Sequence, residues 1–199
     1  MTSRVPHSVL IVTVAAFLAL TLAVLLMEKI ALDTTIRDSM LSFERPSTVS
    51  VLRVVNRAGD WKILLPATVL LLVAFDRARR TWWAWVALML AAPLLEGSLK
   101  LAVERPRPES TAFGYPSGHA TAVAAYAGAL LYLAAELRPR WRTAVRVLAI
   151  ALMLAVGVAR VILRAHWPSD VAAGLALGLA LASVATLIAT ATDPRRPRS

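Results

Sequence analysis

Apolar runs too long for the core of a small soluble domain constrain this chain more than any other feature. Residues 9–27 are nineteen positions interrupted only by Thr13 and Thr21, enough for one helix to cross a ~30 Å hydrocarbon layer. Comparable runs occupy 82–99, where Glu96 is the one charge, then 119–135, 143–163 and 168–192. A shorter run, 63–75, is extended at the interface by Trp61 and Lys62, which can anchor and snorkel there. Backbone groups in lipid must be satisfied within the spanning segment, so these runs predict helices. The expectation is an all-α integral membrane protein, a six-helix bundle forming one domain over residues 1–199. It divides into an N-terminal helix 9–27, an interfacial loop 28–60 and a core of about 61–192. The first run exceeds the usual ~7–15-residue signal-peptide core and is read as a retained anchor. Loop 28–60 mixes charged and apolar positions in a pattern suited to short amphipathic helices lying at the interface. With 58% hydrophobic residues and a mean hydropathy of +0.66, the whole chain is more apolar than a soluble domain, which sits near ~45–50%.

The net charge of +10 does not point to nucleic acid, because the arginines fall in short clusters between apolar runs, as membrane topology requires. On the six-span layout eleven lysines and arginines fall on each side, so a raw count decides nothing. The dense clusters do. Arg77, Arg79 and Arg80 share one tight turn over 76–80, and Arg138, Arg140 and Arg142 share another. Placing these in the cytoplasm, with Arg4, Arg196 and Arg198, puts both termini inside. Within the last run Gly174 and Gly178 form a small-xxx-small pair, expected to serve close packing inside the bundle.

Two polar stretches then emerge together on the outer face. The first, 100–120, sets Lys100, Arg105 and Arg107 before a Pro116-Ser117-Gly118-His119 turn that opens a helix. Ser117 is expected to cap that helix with its side-chain oxygen, and Gly118 leaves the backbone N–H groups open to an anion. Fixed positive charge, a helix N-terminus and a histidine describe a phosphate site containing an acid–base group. Glu96, four residues before Lys100, is expected to hold that lysine in a structural ion pair. The second stretch, 160–170, carries Arg160, His166 and Asp170, with Pro168 at the first turn of the last helix. A carboxylate bonded to one imidazole nitrogen fixes the tautomer and strengthens the other nitrogen as a nucleophile. Asp170 is placed to do this for His166. The chain has no cysteine and three histidines, which excludes thiolate metal sites.

In these residues the chain resembles the type 2 phosphatidic acid phosphatase superfamily of membrane lipid phosphatases. A lysine, six residues and Arg-Pro are matched by Lys100 and Arg107-Pro108; Pro-Ser-Gly-His by 116–119; and Arg, five residues, His, three residues, Asp by Arg160, His166 and Asp170. Ala159 stands where the family usually has serine. The motifs cover 100–170, and the six-span layout extends the resemblance over nearly the whole chain.

The resemblance implies a metal-independent, cofactor-free phosphomonoesterase or pyrophosphatase working through a phosphohistidine. His166 would attack phosphorus, Asp170 would orient it and His119 would protonate the departing oxygen. Lys100, Arg107, Ser117, Gly118 and Arg160 would hold the phosphate. The implied partner is a lipid phosphate in the bilayer, and the expected substrate is undecaprenyl diphosphate, with phosphatidylglycerophosphate or phosphatidate as the alternative. A small transporter would carry polar groups along its spans or show two related halves, and neither is seen. An inactive lipid-binding relative would have lost a signature residue, and both histidines, the aspartate and the three cations are present. Oligomeric state stays open.

Overall fold

The computed structural model describes residues 4–27 and 30–195. Lys29, Arg196 and Arg198, which entered the charge count, lie outside it, as do Glu28 and the side chain of Arg4. The helices are α1 (Arg4–Leu26), α2 (Ala31–Leu41), α3 (Pro46–Asn56), α4 (Trp61–Ala74), α5 (Asp76–Arg80), α6 (Trp82–Val103), α7 (Gly118–Leu133), α8 (Pro139–Ile162) and α9 (Pro168–Thr192). Single 3₁₀ turns follow α3 (Arg57–Gly59) and α7 (Ala134–Glu136). The 28–60 loop is thus two short helices, as its pattern suggests, and the arginine-rich turn 76–80 is itself helical.

Five of these helices, α1, α6, α7, α8 and α9, are long and apolar enough to cross a membrane. The expected sixth, α4, has 14 residues, about 21 Å at 1.5 Å per residue, and falls short by length. Its two ends nevertheless lie at opposite ends of the bundle. Gly59, just before it, packs against His119, since a Cβ there would stand 2.9 Å from the His119 Cβ. At the other end the N–H groups of Asp76 and Arg77 donate to the Glu136 carboxylate at 3.0 and 2.9 Å. That end also holds the Arg80–Asp193 pair, with both carboxylate oxygens engaged at 3.0 and 3.1 Å.

Helices α7 and α9 form the most intimate pair, with α1 leaning on α9. Their shared surface is built from small residues, among them Ala120, Ala124, Ala125 and Ala182, all buried. Lipid tails are as apolar as leucine, so close backbone approach through small residues supplies the packing contact that larger side chains would block. Gly174 and Gly178 do this against α7 of the same chain: a Cβ at Gly174 would reach 2.6 Å from the Ser117 carbonyl, and one at Gly178 would reach 2.7 Å from the Ala124 Cβ. Near the α5 end, Trp85, Leu88 and Leu133 fill a core that the alanines alone would leave open. In the spanning stretch of α1, by contrast, little is fully buried, as suits a helix that rests one side on α9 and turns the other to lipid. It is tethered by Thr21, whose hydroxyl lies 2.8 Å from the Tyr115 hydroxyl, and by Phe17 stacked on the Tyr115 ring at 6.4 Å.

The fold is all-α as expected, with one small non-helical feature. Between α6 and α7 the chain forms a small antiparallel ribbon, β1 (Pro106–Arg107) paired with β2 (Ser110–Phe113). Helix α6 ends on Glu104 in the left-handed region at φ 51°, which turns the chain away from the helix axis. Prolines at 106 and 108 then cannot continue a helix. The ribbon lies over the bundle end where the polar stretches meet.

Candidate active site

Helix ends build the site. Lys100 stands in the last turn of α6, Arg107 on β1, Ser117 to His119 at the start of α7, Arg160 in the last turn of α8, and His166 and Asp170 at the entry to α9. One backbone contact locks the two histidine segments together. The Ser117 N–H donates to the Asp170 carbonyl at 3.0 Å, so the Pro-Ser-Gly-His turn rests on the first turn of α9. Asp170 in turn accepts the Trp167 N–H at 3.0 Å through Oδ2, capping α9 at its third residue.

The same Oδ2 faces His166 Nδ1 at 3.5 Å. This is a contact of paired groups and not a formed hydrogen bond, since Nδ1 has no partner within bonding geometry. Catalytic hydrogen bonds commonly tighten only in the substrate complex. Both residues are sealed, with relative exposures of 1% for His166 and 0% for Asp170. Burial lowers the His166 pKa below its ordinary value of 6.5, and the charges of Arg160 and Arg107 add to this, while Asp170 opposes it. A neutral imidazole is the consequence at neutral pH.

His119 is half-buried and lies in the fields of Arg160, Lys100, Asp60 and His166. Arg160 is buried, donates through one guanidinium nitrogen to Asn56 Oδ1 at 3.1 Å, and keeps Nε without a partner. Arg107 packs across Gly114: a Cβ at that glycine would stand 3.1 Å from both the Arg107 Cγ and Asp170 Oδ2. Lys100 pairs with Glu96 as the sequence suggests. The Glu96 carboxylate also fills the space beside Gly118, 2.7 Å from where a Cβ would be, so any side chain there would displace it. All eight residues to which the resemblance gives a role in the site therefore meet at one end of the bundle.

The expected side-chain cap by Ser117 is not made. Its backbone adopts the cap conformation, yet its Oγ is fully buried and without a hydrogen-bond partner. Helix α7 therefore begins with its first N–H groups unclaimed by a cap, and the serine hydroxyl keeps its bonding capacity for something else.

Three residues not singled out in the sequence, Asn56, Asp33 and Ser169, join the cluster, together with Arg105, one of the three cations read beside the Pro-Ser-Gly-His turn. Asn56 holds Arg160, Arg105 holds Asp170, and Asp33 and Ser169 hold Arg105. Asp33 did leave a trace in the sequence. It shares a helical face with Met40, which packs on the core, and a carboxylate on the buried face of an amphipathic helix calls for a partner. Nothing in the spacing marks Asn56. Among the described residues no group of three or more His, Asp or Glu side chains gathers as a metal site.

Comparison with known proteins adds to this geometry. A model described as the PAP2 superfamily matches residues 81–193. Phosphatidylglycerophosphatase B of Bacillus subtilis is 28% identical over 160 residues, covering 75% of this chain and 79% of that protein. Undecaprenyl-diphosphatase of Sulfolobus acidocaldarius is 30% identical over 152 residues, covering 70% of each. A crystal structure of a transmembrane PAP2-type phosphatidylglycerolphosphate phosphatase from Bacillus subtilis superimposes with a TM-score of 0.80 at 25% identity, over 96% of this chain and 98% of that one.

Proposed function

The chain belongs to the PAP2 superfamily, and from that premise we propose that it removes the terminal phosphate of a membrane lipid phosphate or diphosphate through a phosphohistidine on His166. One observation carries the reading. A sealed imidazole has Nδ1 turned to Asp170, which leaves Nε2 as its free nitrogen, and a second, half-buried imidazole shares its surroundings with Lys100 and Arg160. Nε2 attacks phosphorus, the bond from phosphorus to the leaving oxygen breaks, and His119 gives that oxygen its proton. Water then attacks the phosphohistidine, His119 takes a proton from it, and inorganic phosphate departs with His166 restored. Lys100, Arg107 and Arg160, with the Ser117 hydroxyl and the Gly118 N–H, bind the three equatorial oxygens as charge spreads over them. The reading requires no metal ion or cofactor.

For the substrate we place undecaprenyl diphosphate first. The charges above the site are already matched to one another: Arg37 pairs with Glu109, and Arg164 with Glu44 and Glu109. Paired groups are poor readers of a large polar headgroup, whereas a polyprenyl diphosphate offers only phosphates to the site and an apolar tail to the bilayer. Tail burial contributes ~0.8 kcal/mol per methylene for any lipid, so it does not discriminate. The runner-up is phosphatidylglycerophosphate, favoured by the superposition over 96% of the chain on a phosphatase of that title. Phosphate release from purified protein in detergent decides between them, with polyprenyl diphosphate, phosphatidylglycerophosphate, phosphatidate and a water-soluble ester compared. A kcat/KM on either glycerolipid about tenfold above that on the polyprenyl diphosphate refutes the first choice. No release from any of the four refutes the phosphatase reading itself.

The site is assigned to the extracytoplasmic interface and both termini to the cytoplasm. Support comes from the opposite bundle end, which carries Arg77, Arg79, Arg80, Arg138, Arg140 and Arg142, the short-loop clusters that stay inside.

A further inference from the structure

Helix α2 lies outside the spanning helices and buries one residue, Asp33, at 3% exposure. A buried carboxylate is costly unless its oxygens are engaged, and these are. Oδ1 accepts the Ser169 N–H at 2.7 Å, and Oδ2 accepts the Ser169 hydroxyl at 2.6 Å and Arg105 Nη2 at 2.7 Å. The other terminal nitrogen of Arg105 donates to Ser169 Oγ at 2.7 Å and to Asp170 Oδ1 at 2.6 Å. Asp170 Oδ2 is the atom that faces His166. An unbroken chain of charged and polar groups thus runs from α2 to the reacting imidazole. The Trp167 ring, 5.7 Å from the Arg105 guanidinium, adds a flat wall against it.

Two physical consequences separate this chain from a mere tether. A guanidinium that gives one terminal nitrogen to each of two carboxylates has its plane fixed, and so fixes the Asp170 carboxylate in turn. Its single positive charge is also divided. With Asp33 ionised, Arg105 does not cancel Asp170, and the cluster of two carboxylates and one cation retains a net negative charge beside His166. Remove the Asp33 charge and Arg105 neutralises Asp170, which weakens its hold on an imidazole that must become positive as phosphorus is attacked. We infer that Asp33, acting through Arg105 and Ser169, is a positioning residue for Asp170 and through it for the His166 nucleophile. The inference rests on the phosphohistidine reading given above.

A double-mutant cycle tests it, with kcat and KM measured on a water-soluble phosphate ester for Asp33→Asn, Asp170→Asn and the pair. Asp33→Asn should lower kcat about tenfold, ~1.4 kcal/mol, with KM changed less than about twofold. In the Asp170→Asn background the same change should cost less than about twofold, because residues acting through one network do not add. Asp33→Glu, which restores the charge, should recover part of the loss. Should Asp33→Asn fail to accumulate, Ser169→Ala enters the same cycle by removing the hydroxyl that bridges Asp33 and Arg105. Should Asp170→Asn lie below detection, Arg105→Lys replaces it as the second arm. Multiplicative losses, a rise in KM at constant kcat, or wild-type turnover in Asp33→Asn overturns the inference. Wild-type turnover in both His166→Ala and Asp170→Asn would instead overturn the phosphohistidine reading on which it rests.

Discussion

Gly174→Ala is the most exacting test of how helix packing sets the site. A Cβ at position 174 would stand 2.6 Å from the Ser117 carbonyl oxygen, 3.0 Å from the Ala120 Cβ and 3.1 Å from Thr121 Oγ1. None of these can move freely. The Ser117 carbonyl accepts the Thr121 N–H at 2.9 Å and its hydroxyl at 3.0 Å, and the Ser117 N–H is bound to Asp170. Reaching an ordinary contact of 3.4 Å requires α7 and α9 to part by roughly 0.8 Å at the turn that carries Ser117, Gly118 and His119. Overpacking costs about 1–3 kcal/mol, and replacing glycine by alanine in a helix returns about 0.5–1 kcal/mol. Stability therefore falls by no more than about 2.5 kcal/mol. Activity should suffer more visibly, because a displacement near 1 Å in a catalytic constellation can cost ~10²-fold. Gly97→Ala is the matched control, with nothing within 4 Å of its Cβ. Phosphate release and thermal unfolding in detergent, measured on both variants, give the answer. Wild-type turnover in Gly174→Ala, or an equal loss in Gly97→Ala, would refute the reasoning.

Other predictions address the histidines and the orientation. His119→Ala should slow the first-turnover release of a poor alkoxide leaving group by about 10²–10⁴-fold, the range of general acid catalysis, while sparing the initial burst of nitrophenolate, which departs with little protonation; equal losses in the two first-turnover rates would remove His119 as the acid. His166→Ala should abolish both turnover and any acid-labile phosphoenzyme, so a phosphoenzyme trapped in that variant would reassign the nucleophile. Because burial lowers the His166 pKa in the folded protein from 6.5, the unfolded chain takes up that proton first as pH falls, and this group's contribution to stability declines below about pH 6.5. A histidine-selective NMR titration, assigned by the signal lost in His166→Gln, should place its midpoint below 6.5; a midpoint above it contradicts the burial argument. With no native cysteine, Ser110→Cys and Pro194→Cys can be labelled on intact cells with an impermeant thiol reagent. Ser110 should react and Pro194 should not, and the reverse would invert the proposed orientation.

The spanning helices and the eight residues at one bundle end were legible in the sequence, because each follows from local rules. Long apolar runs must be helical in lipid, and the polar groups between them are confined to helix ends, so parity along the chain brings Lys100, His119, Arg160 and His166 to one face. Local rules also placed Pro168 at the start of α9 and paired Glu96 with Lys100. They failed at two places. Ser117 reads as an N-cap, yet its hydroxyl makes no cap bond. The stretch after α6 reads as loop but closes into a ribbon, since pairing across the bundle end is a non-local contact.

The sequence by itself determined a membrane bundle with a basic, histidine-bearing end, because hydrophobic length, helix capping chemistry and charge clusters act over a few residues and are written in order. Only the tertiary structure decided what holds that end in register. Asp33 and Asp170 are joined through Arg105, Asn56 reaches Arg160, and Gly174 admits the Ser117 carbonyl. These partners lie far apart in the chain, and which of many carboxylates meets a given guanidinium is settled by helix packing, a property of the whole fold that no local spacing records.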